Sequence, residues 1–226
     1  MEKILLTGSR GALAEAVIDE LNKKKIKHIT AKNYLEFLKK IKKIRFDKIL
    51  HLGASNRFGQ SFDNYFFKNV LNFYDVLDYC KNTKILLAST DKVNDLIKSK
   101  KEINQIDSYA LSKLVAEKML IEKSQKKNLK FIIIRFPSLM IFNKRKKNIF
   151  YYLTKNINKT FKLKENKNFN NNLLTKDQAV DLIFEKMKFL NKDCNKIINV
   201  KSNGKITTEK LKKILKKNKK KFSVIR

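Results

Sequence analysis

A tyrosine and a lysine, Tyr109 and Lys113, lie four residues apart in the stretch SYALSKLVAEKML. On a helix that spacing puts both side chains on one face, where a phenol and an ammonium group together can serve proton transfer. The pair alone carries little weight. The chain holds 47 lysines and 7 tyrosines, and chance gives about one or two Tyr-x-x-x-Lys matches in such a composition. A second match does occur, Tyr151 with Lys155, so the surroundings of each pair have to decide.

A second chemical signal stands at the N-terminus. In LLTGSRGALAEAV, the residues Gly8, Ser9, Arg10, Gly11, Ala12 and Leu13 follow a short apolar run and open a helical pattern, with Ala14 at the third small position. Glycines there permit a tight turn and close backbone approach, and the start of the helix offers N–H groups and a positive dipole end to a pyrophosphate. The next apolar run, IKHIT, does not end in Asp or Glu. An acid at that point would hold an adenosine ribose hydroxyl and repel a 2′-phosphate. Its absence, with Arg10 in the loop, favours NADP over NAD as the expected cofactor.

The elements that position these residues alternate along the chain. Strand patterns at 3–8, 26–30, 47–54, 84–90 and 130–136 are separated by helical patterns at 12–25, 33–44, 64–82 and 108–127. Short apolar strands joined by helices form a parallel sheet covered on both faces. The expected fold is therefore α/β, a Rossmann-type doubly wound parallel sheet. After Pro137, the only proline, the pattern blurs over 138–172. It recovers as a helix over 175–190, a strand over 196–200 and a helix over 207–218. The division expected is a dinucleotide-binding domain over 1–138 and a small substrate lobe over 139–226.

Composition narrows the function classes. With Cys80 and Cys194 far apart and only His28 and His51 besides, no metal site is expected. The cysteines form no disulfide framework, which suits the cytoplasm. No apolar run reaches the ~20 residues of a membrane span, and the N-terminal apolar run is too short for a signal peptide. The formal charge of +32 raises nucleic acid as a partner. The excess is almost all lysine spread along the chain, with only six arginines, the preferred readers of phosphates and bases. Nucleic acid is accordingly not the expected partner.

Taken together, the residues resemble the extended short-chain dehydrogenase/reductases, the NAD-dependent epimerase/dehydratase family. TGSRGALA looks like its phosphate loop. DKILHLGA resembles the strand whose small residues line the cofactor, here Leu52, Gly53 and Ala54. FFKNVLNFYDVLDYC resembles the helix that carries an asparagine, here Asn69. LLASTDKVND followed by SYALSKLVAEK looks like the Ser/Thr strand end and the Tyr-x-x-x-Lys helix. FIIIRFPSLM is similar to the strand after the active site, with Pro137 at the cofactor. Tyr109 stands where this family places its tyrosine; Tyr151 does not.

The resemblance implies a nucleotide-sugar substrate and a division of roles. Tyr109 exchanges a proton with the substrate oxygen. A free phenol near pKa ~10 is too weak a base at neutral pH, and the charge of Lys113, with that of the nicotinamide, is expected to favour the phenolate. Thr90 hydrogen-bonds the reacting oxygen, with Ser89 as the second choice, and Asn69 supports the helix and a proton-relay water. STDKVND resembles the STD-x-V-x-D of dTDP-4-dehydrorhamnose reductases, which implies a 4-keto reductase or epimerase. It is also similar to the STDK of 4,6-dehydratases, in which Asp91 and Lys92 would be acid and base. A catalytically silent NADP-binding module is the further alternative. In this family the helices equivalent to 64–82 and 108–127 often build a dimer's four-helix bundle. Their apolar faces are equally explained as core, so a homodimer stays open.

Overall fold

The structure, a computed structural model, describes residues 2–55, 60–100, 102–140, 161–164, 171–190, 194–201, 204–206, 213 and 222–225. By internal contacts the chain divides into two units, Met1–Phe136 with Ala179–Val200, and Pro137–Gln178 with Lys201–Arg226.

The first unit is built on β1 (Ile4–Thr7), β2 (His28–Ala31), β3 (Lys48–His51), β4 (Lys84–Thr90), β5 (Lys130–Phe136) and β9 (Lys196–Asn199). They form one sheet in the order β2-β1-β3-β4-β5-β9, and every pairing is parallel. The chain steps from β1 outward to β2, then returns to lay β3 on the other side of β1. That reversal opens a crevice beyond the carboxyl ends of β1 and β3, where doubly wound sheets bind their ligands. The sheet and its flanking helices are the Rossmann-like fold the sequence pattern predicts.

Both faces of the sheet are buried, and the two-residue period of the strands divides the core. Leu5, Ile49, Ile85, Leu87, Phe131 and Ile133 point to one face. There they pack with Phe37 of α2 (Tyr34–Ile41), Phe73 and Leu77 of α4 (Asn72–Asp78), and Ala116 and Leu120 of α6 (Ser108–Lys127). Ile4, Leu6, Leu50, Leu86, Ile132 and Ile134 alternate with them and are equally buried. Buried Val17 and Leu21 of α1 (Ala12–Lys23), and Ile183 and Met187 of α7 (Lys176–Phe189), supply further apolar surface. Residues 179–200 fall in the first unit because β9 extends the sheet beside β5.

Two local features depart from the periodic pattern. The helix expected over 64–82 is α3 (Phe62–Phe66), a π turn (Phe67–Leu71) and then α4. The stretch after β4 is the short helix α5 (Lys92–Lys98) and not merely a turn. Helix α6 begins at Asp107, whose carboxylate accepts from the N–H groups of Tyr109 and Ala110. It stops at Asn128, left-handed at φ 50°, a conformation that asparagine tolerates at helix ends.

In the second unit, β6 (Ser138–Met140), β8 (Asn171–Thr175) and β10 (Gly204–Ile206) form a three-stranded sheet in the order β10-β8-β6. Strands β7 (Phe161–Lys164) and β11 (Phe222–Ile225) pair in parallel. The helix expected over 207–218 lies outside the described residues except for Lys213. No helix among the described residues is long and apolar enough to cross a membrane.

Candidate active site

The crevice at the β1/β3 reversal has a floor made by the absence of side chains. Gly8 sits at φ +75°, a conformation that suits glycine alone among common residues. A Cβ on Gly8 would land on Gly53 Cα and within 2.5 Å of Gly53 N. A Cβ on Gly53 would meet Gly8 Cα at 3.2 Å. The turn is held by Gly8 N and Ser9 N, which donate to Ala31 O at 3.0 and 3.3 Å, and by Gly11 N to Gly8 O at 2.8 Å. Gly11 is the N-cap of α1, and no side chain caps that helix. An uncapped helix start beside a glycine floor presents N–H groups and a positive dipole end to an anion. The cradle fits a pyrophosphate.

A cleft of about 350 Å³ opens over this floor. Of the residues expected to hold the cofactor, Gly8, Arg10, Gly11, Leu52, Gly53 and Ala54 line it; Ser9, Ala12, Leu13, Tyr109, Lys113 and Pro137 do not. Sequence reasoning missed Lys32, Tyr34, His51, Ser55, Lys68 and Asn72, which line it as well. They come from three separate segments, so no single spacing could reveal them. Strand β2 ends at Ala31 and is followed by Lys32. Arg10, Lys32 and Lys68 thus bring three cationic side chains to the lining of the cleft. Tyr34 donates to the Asp75 carboxylate, and burial with that acceptor pushes its phenol up to about 12. At the end of β3, His51 Nδ1 pairs with Thr7 Oγ1 at 2.9 Å, and its ring lies 4.4 Å from that of Phe73. Burial, then the charge of Lys113, push His51 down to about 3, against an opposing hydrogen bond to the Gly53 backbone. It is neutral at physiological pH.

Beside the cleft, β4 and α6 bring Thr90, Tyr109 and Lys113 to one region. Thr90 is the last residue of β4. Its hydroxyl lies 3.4 Å from an Asp91 carboxylate oxygen and accepts from Lys92 N. Lys113, only 2% exposed, donates from Nζ to Ala88 O of the same strand at 2.6 Å. Ser89, the second choice for the reacting oxygen, has its hydroxyl committed to Glu117. Burial first, then Asp107, Tyr65 and Asp91, push the Tyr109 phenol up to about 12. Lys113 directs its ammonium at a backbone carbonyl, so the phenol stays protonated. The ring of Tyr65 stands 5.7 Å away, a neighbour the sequence did not disclose.

Asn69 joins the two halves. It sits in the π turn, is 3% exposed, and accepts from Ser55 N at 2.7 Å. Its Nδ2 donates to Ser55 O and to Ser112 Oγ, each at 3.0 Å, and Ser112 Oγ donates to Tyr109 O at 2.8 Å. A wall of the cleft is thereby bonded to the helix of Tyr109 and Lys113. A π turn is rare and concentrates at functional sites; here it carries the residue that makes both connections. Pro137, expected at the cofactor, is buried and begins the second unit. Among the described residues no three His, Cys, Asp or Glu side chains gather as a metal-binding group.

Comparison with known proteins agrees with this architecture. No curated protein matches the sequence. Among solved structures, UDP-N-acetylglucosamine 4-epimerase from Bacillus cereus aligns over 100% of this chain and 88% of its own, with 20% identity and a TM-score of 0.73. UDP-glucose 4-epimerase from Thermotoga maritima, with UDP-glucose, aligns over 99% and 86%, with 14% identity and a TM-score of 0.81. UDP-glucose 4-epimerase from Thermus thermophilus, in complex with NAD, aligns over 99% and 85%, with 15% identity and a TM-score of 0.75. At these identities the likeness is one of fold. The family model described as NAD dependent epimerase/dehydratase family matches residues 4–172, which include the glycine floor, Asn69, Thr90, Tyr109 and Lys113. The chain belongs to the NAD dependent epimerase/dehydratase family, a family of short-chain dehydrogenase/reductase-type enzymes.

Proposed function

We propose that the protein binds a nicotinamide dinucleotide in the β1/β3 cleft and acts on a nucleotide-activated sugar as an oxidoreductase or epimerase. The observation that carries this reading is the placement of two features at the carboxyl ends of neighbouring parallel strands. One is the Gly8/Gly53 floor with its uncapped helix; the other is Thr90 with Lys113 anchored on Ala88 O. Gly8, Gly11 and Gly53 would hold the pyrophosphate, with Ser9, Ala12 and Leu13 giving backbone to the turn. Leu52, Ala54 and Pro137 would pack on the cofactor. We favour NADP(H) over NAD. The end of β2 carries no acid, and Arg10 and Lys32 line the same cleft, as suits a 2′-phosphate. The second unit is proposed to bind the sugar nucleotide.

When bound, the dinucleotide supplies or takes up the hydride. The chain's own residues handle the proton. Tyr109, protonated at neutral pH, gives its phenolic proton to the substrate oxygen as negative charge develops there. The Thr90 hydroxyl donates a hydrogen bond to the same oxygen. The Lys113 ammonium, pushed down to about 8 by burial against the pull of Glu117, keeps most of its charge at neutral pH; seated on Ala88 O, it would favour the phenolate that remains through its field and not through a direct contact. Asn69 holds the helix of Tyr109 against the cleft wall.

A second reading has one specific support. Asp91 is raised above the usual carboxylate range by burial and by Asp95, as suits the acid of a 4,6-dehydratase. Its partner in that reading, Lys92, is instead ion-paired with Asp107 at 2.9 Å and half exposed. Tyr109→Phe tests the preferred reading. Turnover of a 4-keto nucleotide sugar with NADPH should fall about 10²- to 10⁴-fold, the usual range for a general acid, with dinucleotide affinity kept. Undiminished turnover in that variant would overturn it, and loss of water from the sugar that depends on Asp91 would favour the dehydratase.

A further inference from the structure

Behind the Tyr109 cluster lies a buried ion pair that the proposed chemistry does not use. Glu117 is 1% exposed and Arg135 7%. Arg135 Nε reaches both carboxylate oxygens at 3.1 and 3.2 Å, and Nη2 reaches Oε2 at 2.6 Å. The other arm, Nη1, donates to Asn94 Oδ1 of α5 at 2.6 Å. Ser89 donates its hydroxyl to Glu117 Oε1, and Ser89 is the residue opposite Arg135 in the β4/β5 register. Glu117 lies one helical turn beyond Lys113, which lies one turn beyond Tyr109, so all three share a face of α6.

Stability does not explain this pair. Replacing a buried ion pair with packed apolar side chains is often neutral or stabilising, and the strands around Arg135 are already Ile- and Leu-rich. What an apolar pair could not provide is a fixed negative charge beside a second buried cation. Lys113 is such a cation. The titratable and charged groups around it are Tyr109 and Glu117 on its own helix, His51 from β3, and Arg135 from β5 behind Glu117. His51 is neutral, which leaves Glu117, one turn along α6, as the negative charge acting on Lys113 among the described residues.

We propose that Glu117, clamped by Arg135 and Ser89, is a positioning residue that keeps Lys113 charged and seated on β4 beside Thr90. This rests on the proposed function for its consequence, though not for its geometry. Burial drives the lysine toward the neutral amine, and Glu117 opposes it. Arg135 fixes the carboxylate with two-point geometry, and through Asn94 it fixes the helix that follows Thr90. The device thus ties three elements to one ammonium.

The test uses the full-length protein and two variants, Glu117→Gln and the apolar double variant Glu117→Met with Arg135→Met. The charge of Lys113 is followed against pH by NMR of 13C-labelled lysine side chains, with Lys113→Arg to assign its signal. In the wild type the titration should have its midpoint near pH 8. In both variants its midpoint should fall by about one unit, a tenfold loss in the ammonium-to-amine ratio. Their kcat with NADPH and a 4-keto nucleotide sugar should drop by about that factor above pH ~9 and by about twofold at pH 7, with little change in KM. A purely structural pair predicts instead that the apolar double variant folds, keeps the wild-type midpoint and works normally; that result would overturn the proposal. If the wild type binds neither dinucleotide, the proposed function fails separately, and the titration midpoints still decide whether Glu117 holds the charge on Lys113.

Discussion

The cleft at β1/β3 and the cluster at β4/α6 lie at the same end of the same sheet, yet they are built from opposite materials. The cleft is made of backbone: two glycines whose chains touch, a left-handed turn and an uncapped helix. The cluster is made of ionisable side chains, half-buried Tyr109 beside Tyr65 and buried Lys113, Glu117 and Arg135 with bonding partners on other elements. The first fails when an atom is added. The second fails when a charge or a hydrogen bond is removed.

That contrast sets the order of expected effects. Gly8→Val is the most severe, because its Cβ has only the Gly53 backbone to push against and neither chain can yield without moving a central strand. The variant should lose dinucleotide binding altogether and unfold at a lower temperature, as thermal melts with and without NADPH would show. Normal binding by Gly8→Val would mean that the close approach is not needed for the cleft. Asn69→Ala comes next and strikes the junction of the two regions. It leaves Ser55 N without its acceptor and Ser112 without its donor, at about 1–3 kcal/mol for each group left unsatisfied. Chemical denaturation should show a loss of about 3 kcal/mol, together with lower turnover. A loss below ~0.5 kcal/mol would contradict the bridge.

The smallest effect is a change of slope. His51 is held near 3 in the folded protein, against an ordinary value of about 6.5. Between those values the unfolded chain binds a proton that the folded chain does not. His51 therefore makes stability fall as pH drops through that window, by up to about 1.4 kcal/mol per pH unit. Stability curves of wild type and His51→Asn between pH 6.5 and 4 should diverge, with the variant flatter. Parallel curves would show that His51 titrates normally.

The same contrast explains what could be read from the sequence. Gly8, Gly11 and Gly53 declare themselves because a backbone site is written in local spacing, and the five strands before Pro137 follow from short apolar runs. Tyr109, Lys113 and Thr90 could be singled out, but not their environment. Ser112, Glu117, Asn94 and Arg135 meet only after β4, α5, α6 and β5 assemble, and no one-dimensional period links them. The π turn was hidden because Phe67–Leu71 reads as ordinary helix; its cause is tertiary, the anchoring of Asn69 on Ser55 and Ser112. Helix α5 was missed because seven residues between turn-like flanks give too short a period to recognise. The charge of Lys113 was expected to act on Tyr109 directly, which assumed a lysine free to face the phenol, whereas Ala88 O takes its ammonium.

The central claim is that the glycine-floored cleft binds a dinucleotide and that its cationic wall chooses which one. Calorimetric titration of the wild type and Arg10→Ala with NADPH and with NADH tests it most directly. The account predicts tight NADPH binding, weaker NADH binding, and a loss of about tenfold or more in NADPH affinity in Arg10→Ala with NADH unchanged, as expected for a charge-assisted contact. Failure of the wild type to bind either cofactor would contradict it. Binding of NADH in preference to NADPH would keep the cleft and overturn the role given to Arg10 and Lys32.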